Sequence, residues 1–284
     1  MSGQISKVKR QLRSVKSTRK LTNAMALVAT AKMQKQKKAM FVNNDYAEAY
    51  YRFVLAALSA HKPEGKETNP YLMQSAVNNP LHIIISSNSG LCGSYNLDLF
   101  KYVEEHISKD EPLFVIGTYG IKWLMNNGYM VVKSFSDLDD LRPSRINSLI
   151  YDILKLYADD EISSIDIIYT QYVNSLTFVP STYRLLPIVT EEEIAESEII
   201  LEPDRDEVLN RLIPMFVSSM IYSTFLQAKT SEQAARRSAM DGANRNADSL
   251  ISRLELEYNQ ARQASITQEM TEIISGSSVQ KGAL

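Results

Sequence analysis

The chain holds one cysteine and three histidines among 284 residues. Cys92 alone cannot close an internal disulfide. His61, His82 and His106 are scattered, with no second ligand at metal-binding spacing, which argues against a structural zinc. No apolar run approaches the ~20 residues that span a bilayer. Met1-Ser2-Gly3-Gln4 leads straight into a charged helical pattern and not into the apolar core of a secretory signal. A soluble protein that stays where it is made, without a transit peptide, is the expectation.

Two further absences shape the N-terminal end. Glycine and proline are missing from Gln4 to Lys62, so nothing there interrupts a helix. Aspartate and glutamate are missing from residues 1–44, which carry eleven Lys or Arg and leave twenty basic against thirty-three acidic residues in the other 240. The net charge of −2 therefore conceals one strongly positive end. The remaining composition, 44% hydrophobic and 23% charged, is that of an ordinary globular protein.

The longest pattern lies at the opposite end. From Glu207 to Gly276 there is one proline, Pro214, and one internal glycine, Gly242. Apolar and small residues recur there at spacings of three and four: Leu212, Phe216, Ser219, Ser223 and Leu226, then Met240, Ala243, Ala247, Leu250, Leu254 and Ala261. At ~1.5 Å per residue this helix reaches on the order of 100 Å, against a compact diameter of roughly 40 Å for a chain of this length. It must project, and its seam needs a partner.

The partner is the first helix. Ile5, Val8, Leu12 and Val15, then Thr18, Thr22, Met25, Ala29, Met33, Gln36 and Met40, follow the same alternation, and the pattern continues through Tyr46, Tyr50, Phe53, Val54 and Leu58. Helices at opposite ends of the sequence with a domain between them make an antiparallel coiled coil. Small and polar seam positions weaken it and call for an outer sleeve. A kink is expected at Arg211–Pro214, because proline lacks the N–H that a helix interior needs.

Between the helices, a linker from His61 to Ala76 precedes an alternation of strands and helices. The strands are Leu81–Ser86, Leu113–Gly117, Met130–Phe135 and Ile165–Thr170; the helices are Ser94–Ile107, Thr118–Asn127 and Ser144–Ala158. Thr177–Val189 reads as an extended edge piece with two prolines, and Ile199–Leu201 as a short strand. The fold class is α/β: a long antiparallel coiled coil of N- and C-terminal helices plus a Rossmann-like α/β domain with a mostly parallel sheet. The segments divide as 1–60, 77–202 and 207–284.

Three chemistries can be weighed. The turn Ser86–Asn96 sits where a doubly wound sheet would hold phosphate, but its Gly-x-x-Gly is neither a dinucleotide fingerprint nor a Walker motif, and a tight structural turn is the better reading. Cys92 could be a nucleophile at a helix start, yet no His or acid is placed beside it by sequence. The basic first helix could lie along nucleic acid. Its charges are interleaved with a coiled-coil seam, however, no aromatic precedes Phe41 and no base-reading motif is present, so an acidic protein surface is the more economical partner. After Ala264 the tail turns nearly uncharged, and a projecting tip of that kind must be enclosed.

Leu21-Thr22-Asn23-Ala24-Met25-Ala26-Leu27-Val28-Ala29-Thr30-Ala31-Lys32-Met33, the Gly90-Leu91-Cys92-Gly93 turn and the stretch Tyr258–Gly276 together resemble the gamma-subunit family of the rotary F-type ATP synthase, over the whole chain. The departures are Asn88-Ser89, where the family usually has Asp-Arg, and Ser277 in place of alanine. The regulatory cysteine insert of the chloroplast type is missing.

The resemblance implies a central-stalk rotor turning inside a ring of three alpha and three beta subunits, with an epsilon subunit and the membrane c-ring at its foot. It implies a shaft that performs no bond chemistry and needs no cofactor or metal. It places the protein peripherally on the cytoplasmic face of a bacterial membrane, without nucleic acid. Met25, Val28, Lys32, Arg236, Arg262, Gln263, Thr267, Glu269 and Glu272 are the positions it assigns to contact with the alpha and beta subunits.

Overall fold

The computed structural model of the chain describes residues 2–60, 69, 71–72, 77–136, 143–188 and 201–281. Helix α1 spans Ser2–Ser59, followed by β1 (Pro80–Ile85), α2 (Tyr95–His106), β2 (Leu113–Ile116), α3 (Thr118–Asn126) and β3 (Val131–Phe135). Then come α4 (Pro143–Ala158), β4 (Ser164–Tyr172), β5 (Phe178–Leu186) and α5 (Arg205–Lys281). Most ends agree with the sequence reading to within a residue or two. The linker 61–76 and the proposed strand at Ile199–Leu201 fall largely outside the described residues, and Leu201 itself is in no strand.

The sheet is five-stranded in the order β3-β2-β1-β4-β5. β1 to β4 run parallel and β5 pairs antiparallel with β4. β5 is an edge, where Pro180 costs no ladder bond on the open side. The strand order reverses between β1 and β4, and a doubly wound sheet opens its crevice at that point, beyond the carboxyl ends of those strands.

Contacts divide the described residues into two compact units, Met1–Val28 with Arg237–Leu284, and Ala29–Arg236. This differs from the segments 1–60, 77–202 and 207–284, for a physical reason. In the second unit Val54 and Ala57 of α1 share one core with Leu81, Ile83 and Ile85 of β1, with Leu149 and Ile153 of α4, and with Ile213, Phe216, Val217, Ile221 and Phe225 of α5. The lower parts of both long helices thus serve as the helical layer on one face of the sheet. The other face packs Ile84, Val115 and Ile168 against Leu99, Val103 and Leu124 of α2 and α3.

α5 begins at Arg205, two residues earlier than Glu207, because the Asp204 carboxylate accepts from the Glu207 backbone N–H at 2.8 Å and caps the helix. The helix then runs without a break through Pro214. Further along the same unit the Asn43 amide donates to the Ser219 carbonyl at 3.3 Å and the Ser223 hydroxyl to Asn44 at 3.1 Å, so the seam of α1 and α5 is partly polar here.

In the first unit the antiparallel register is fixed by Lys16 with Glu255 at 2.6 Å, Arg19 with Asp248, and Thr22 with Asn244. Val8, Ala26, Met240 and Leu254 are buried between the helices. Thr18, assigned to the seam from spacing, is exposed, and Ala26 joins Met25 and Thr22 instead. A step of three shifts the phase of a heptad stripe around the helix, which takes Thr18 out of it.

Candidate functional site: a plugged sheet crevice and a free helical tip

The crevice at the switch point is built from the turn after β1. Leu91 and Gly93 take left-handed backbone, φ 61° and 60°, which lets the chain reverse in a few residues before α2. The Asn96 side chain holds the turn closed: its amide donates to the Ser87 hydroxyl at 2.7 Å and its oxygen accepts from the Ser87 N–H at 3.3 Å. Asn88 accepts from the Thr118 N–H at 3.2 Å, tying the turn to the start of α3. Below it, the Ser86 hydroxyl bridges the β2–α3 junction, donating to Ile116 and Gly117 carbonyls at 3.1 and 3.2 Å and accepting from the Gly120 N–H at 3.0 Å.

The space that such a turn would offer to a phosphate is taken by the chain's own α5. Arg236 donates to the Ser89 carbonyl and hydroxyl, each at 3.1 Å, and to the Gly90 carbonyl at 3.3 Å. Its guanidinium also pairs with Glu232 at 2.9 Å, and the second Glu232 oxygen accepts from Lys229 at 2.8 Å. Ser231 donates to the Thr170 carbonyl of β4 at 3.1 Å, and the Tyr95 hydroxyl of α2 to the Ala228 carbonyl at 3.1 Å. Cys92, Tyr95 and Ala235 close the contact with Phe178 beside them. A phosphate-binding turn needs open backbone N–H groups facing a cavity, whereas this one turns its carbonyls to an arginine.

Burial sets the protonation chemistry of the site. It pushes the Cys92 thiol up, opposed by the nearby Arg236 charge, so the sulfur is held as the thiol and is not an activated nucleophile. Burial, with Glu232 adding to it, pushes the Tyr95 phenol well up. In the core that α1, α4 and α5 share against the sheet, burial raises Tyr157 and Tyr169 and takes Tyr183 to about 12.

A phenol whose folded pKa exceeds the unfolded value of 10.0 leaves stability untouched below pH 10 and removes it as pH rises toward the folded value of about 12. Alkaline titration followed by tyrosinate absorbance should therefore show a late group of tyrosines that ionises together with loss of helical circular dichroism. If all fifteen tyrosines titrate in one wave near pH 10 while the helix signal persists, these phenols are hydrated.

The other notable surface lies in the first unit. Ile5, Leu12 and Val15 of α1 are half-buried, and so are Tyr258, Ala261 and Ser265 of α5. Beyond Ser265 every described side chain as far as Ile274 is exposed. Ile266, Met270 and Ile273, spaced by four and three, form an apolar stripe on this overhang at 44%, 61% and 71% exposure.

The structure sorts the residues singled out from sequence. Val28, Lys32, Arg262, Gln263, Thr267, Glu269 and Glu272 are on the surface and Met25 is half-buried. Arg236 departs from the expectation of a surface contact, because its guanidinium is turned inward and consumed by Glu232, Ser89 and Gly90. Sequence reasoning missed Lys229, Glu232, Ser231 and Tyr95. Their signal was a gap: the apolar spacing of α5 lapses between Leu226 and Met240, where a polar run replaces the seam.

Fold and site define a coiled-coil α/β protein whose nucleotide crevice is plugged by its own C-terminal helix. The sequence profile of the ATP synthase family described as "ATP synthase" matches residues 4–279. The ATP synthase gamma chain of Clostridium botulinum is 33% identical over 278 residues, covering 96% of this chain and 97% of that one. The gamma chain of Lachnoclostridium phytofermentans is 36% identical over 290 residues, covering 95% and 96%. Among solved structures, a chain of the Euglena gracilis mitochondrial ATP synthase assembly of OSCP, F1 and c-ring superposes with a TM-score of 0.71 at 15% identity, covering 98% of this chain and 95% of that chain. A chain of the central stalk and c-ring of the Tetrahymena thermophila mitochondrial enzyme gives 0.59 at 20% identity, covering 78% and 99%. The chain belongs to the ATP synthase gamma-chain family.

Proposed function

We propose that this chain is the central-stalk rotor subunit of a bacterial F-type ATP synthase, non-catalytic itself, coupling transmembrane ion flow to ATP synthesis and hydrolysis. The observation that carries the reading is the overhang of α5. A single helix with an apolar stripe and few charges is not stable in water on its own, so a sleeve must surround it, and the alpha and beta subunits supply one. The unbalanced positive charge of residues 1–44 suits acidic surfaces on those subunits and sets the orientation of docking.

An asymmetric shaft offers each of three equivalent beta subunits a different face. It shifts their conformational populations through differences in contact energy alone. Val28 and Lys32 on α1, with half-buried Met25, and Arg262, Gln263, Thr267, Glu269 and Glu272 on the overhang are the residues that make those contacts. The epsilon subunit and the c-ring engage the α/β domain and the lower helices, and the assembly holds the chain peripherally on the cytoplasmic face of the membrane. No helix among the described residues is long and apolar enough to cross a membrane.

Affinity purification of the full chain from its own cells tests the reading. ATPase subunits should co-purify and the recovered assembly should hydrolyse ATP. Ile273→Asp should leave the melting of the isolated chain within about 0.5 kcal/mol of wild type, since the position is exposed, yet reduce recovery of the assembly. Recovery of the chain without ATPase subunits, or of nucleic acid in their place, overturns the proposal.

A further inference from the structure

Residues 228–236 of α5 are buried around the whole circumference of the helix. A helix enclosed on all sides is ordinarily apolar. Here six of the nine side chains, Lys229, Thr230, Ser231, Glu232, Gln233 and Arg236, are polar or charged. Just before this turn the same helix is held by Ile213, Phe216, Val217, Ile221 and Phe225, an apolar contact that binds strongly but discriminates weakly between rotational settings. The polar turn discriminates sharply. In one setting Glu232 meets both Lys229 and Arg236, Arg236 meets three acceptors of Ser89 and Gly90, and Ser231 meets Thr170. A rotation of one residue step, ~100°, carries Arg236 and Ser231 off their acceptors on the domain while leaving them out of water.

We propose that Arg236 and Glu232 are positioning residues that key the rotational setting of α5 against the α/β domain, with the Ser89-Gly90 carbonyls as the keyway. A buried ion network adds little net stability over an apolar replacement, and in some proteins it serves to fix register and orientation, the role assigned to it here. A shaft that passes torque between its foot and its tip needs a joint that does not slip. This inference rests on the rotor reading above and assigns Arg236 to the inside of the rotor, where it acts through the domain and not on a partner subunit. Ser89, one of the positions that the resemblance marks as a departure from the family, contributes both a hydroxyl and a carbonyl to the key.

The complete synthase carrying Ser89→Ala, Arg236→Lys or Glu232→Gln tests the assignment. The readouts are ATP hydrolysis, ions moved per ATP, and the angular spread of a bead attached to the α/β domain during the pauses of single-molecule rotation. Loss of one charge-assisted hydrogen bond should raise the occupancy of a slipped setting about tenfold. The angular spread should widen in the order Ser89→Ala, Arg236→Lys, Glu232→Gln, with ions moved per ATP falling more than hydrolysis. Should Glu232→Gln fail to assemble, the two milder variants decide. An unchanged spread in assembled variants overturns the proposal. So does a defect confined to Arg236→Lys, which would make Arg236 a direct partner contact. Failure of the wild-type chain to assemble with ATPase subunits overturns the rotor reading instead.

Discussion

The Gly117→Ala protein is expected to lose on the order of 4 kcal/mol of stability in the α/β unit, whereas Gly128→Ala loses about 1. Both glycines have positive φ, 107° and 78°. An alanine Cβ at Gly128 meets nothing within 4 Å, so only backbone strain is at stake there. At Gly117 the same atom would lie 2.5 Å from both the backbone oxygen and the hydroxyl of Ser86. The oxygen belongs to the strand end and cannot swing away. The hydroxyl is committed to Ile116, Gly117 and Gly120, so displacing it leaves a buried hydroxyl and a buried N–H without partners.

Trp123 of α3, stacked on Phe100 at 4.4 Å between ring centroids, makes the unfolding of this unit visible in fluorescence. The midpoint should fall by roughly 10 °C for Gly117→Ala and by about 3 °C for Gly128→Ala. Equal shifts would mean that the β1 and β2 ends can separate cheaply and that the turn above them is not rigid.

How the sequence announced this architecture differs from element to element. The strands β1, β2 and β4 were legible because a strand buried on both faces is a short continuous apolar run, and Leu81–Ile85 and Leu113–Ile116 contain little else. α1 and α5 were legible from their alternation of threes and fours and from the scarcity of glycine and proline. Pro214 did not end α5, because the penalty of a proline in a helix is local and the packing of Ile213, Phe216 and Val217 outweighs it. The plugged crevice was not legible. A motif search asks what a glycine-bearing turn could bind from solution, and the occupant here lies 146 and 147 residues from Gly90 and Ser89 along the chain. Only the lapse of apolar spacing after Leu226 pointed to a part of α5 that does something other than pack. The overhang, by contrast, was visible as a change in composition after Ala264.

Glu232→Ala is expected to destabilise the same unit by about 3–5 kcal/mol, the range for removing one partner of a buried ion network. The Glu232 side chain is 4% exposed, and the cations it bridges, Lys229 and Arg236, are 3% and 9% exposed. Without the carboxylate, two positive charges remain near one another out of water. Arg236 keeps the Ser89 and Gly90 acceptors, whereas among the described residues Lys229 keeps the face of the Phe225 ring at 5.6 Å. Removing that second cation should therefore repair much of the damage: Lys229→Met added to Glu232→Ala should restore about 1–3 kcal/mol, a coupling typical of residues within one network. Added salt should not rescue Glu232→Ala, since a buried charge is poorly screened. The Lys16–Glu255 pair on the coiled coil, 48% exposed on each side, is the control, and its loss should cost no more than about 1 kcal/mol. A Glu232→Ala protein that melts like wild type would show that water reaches the crevice, and a wet joint could not hold α5 at a single angle.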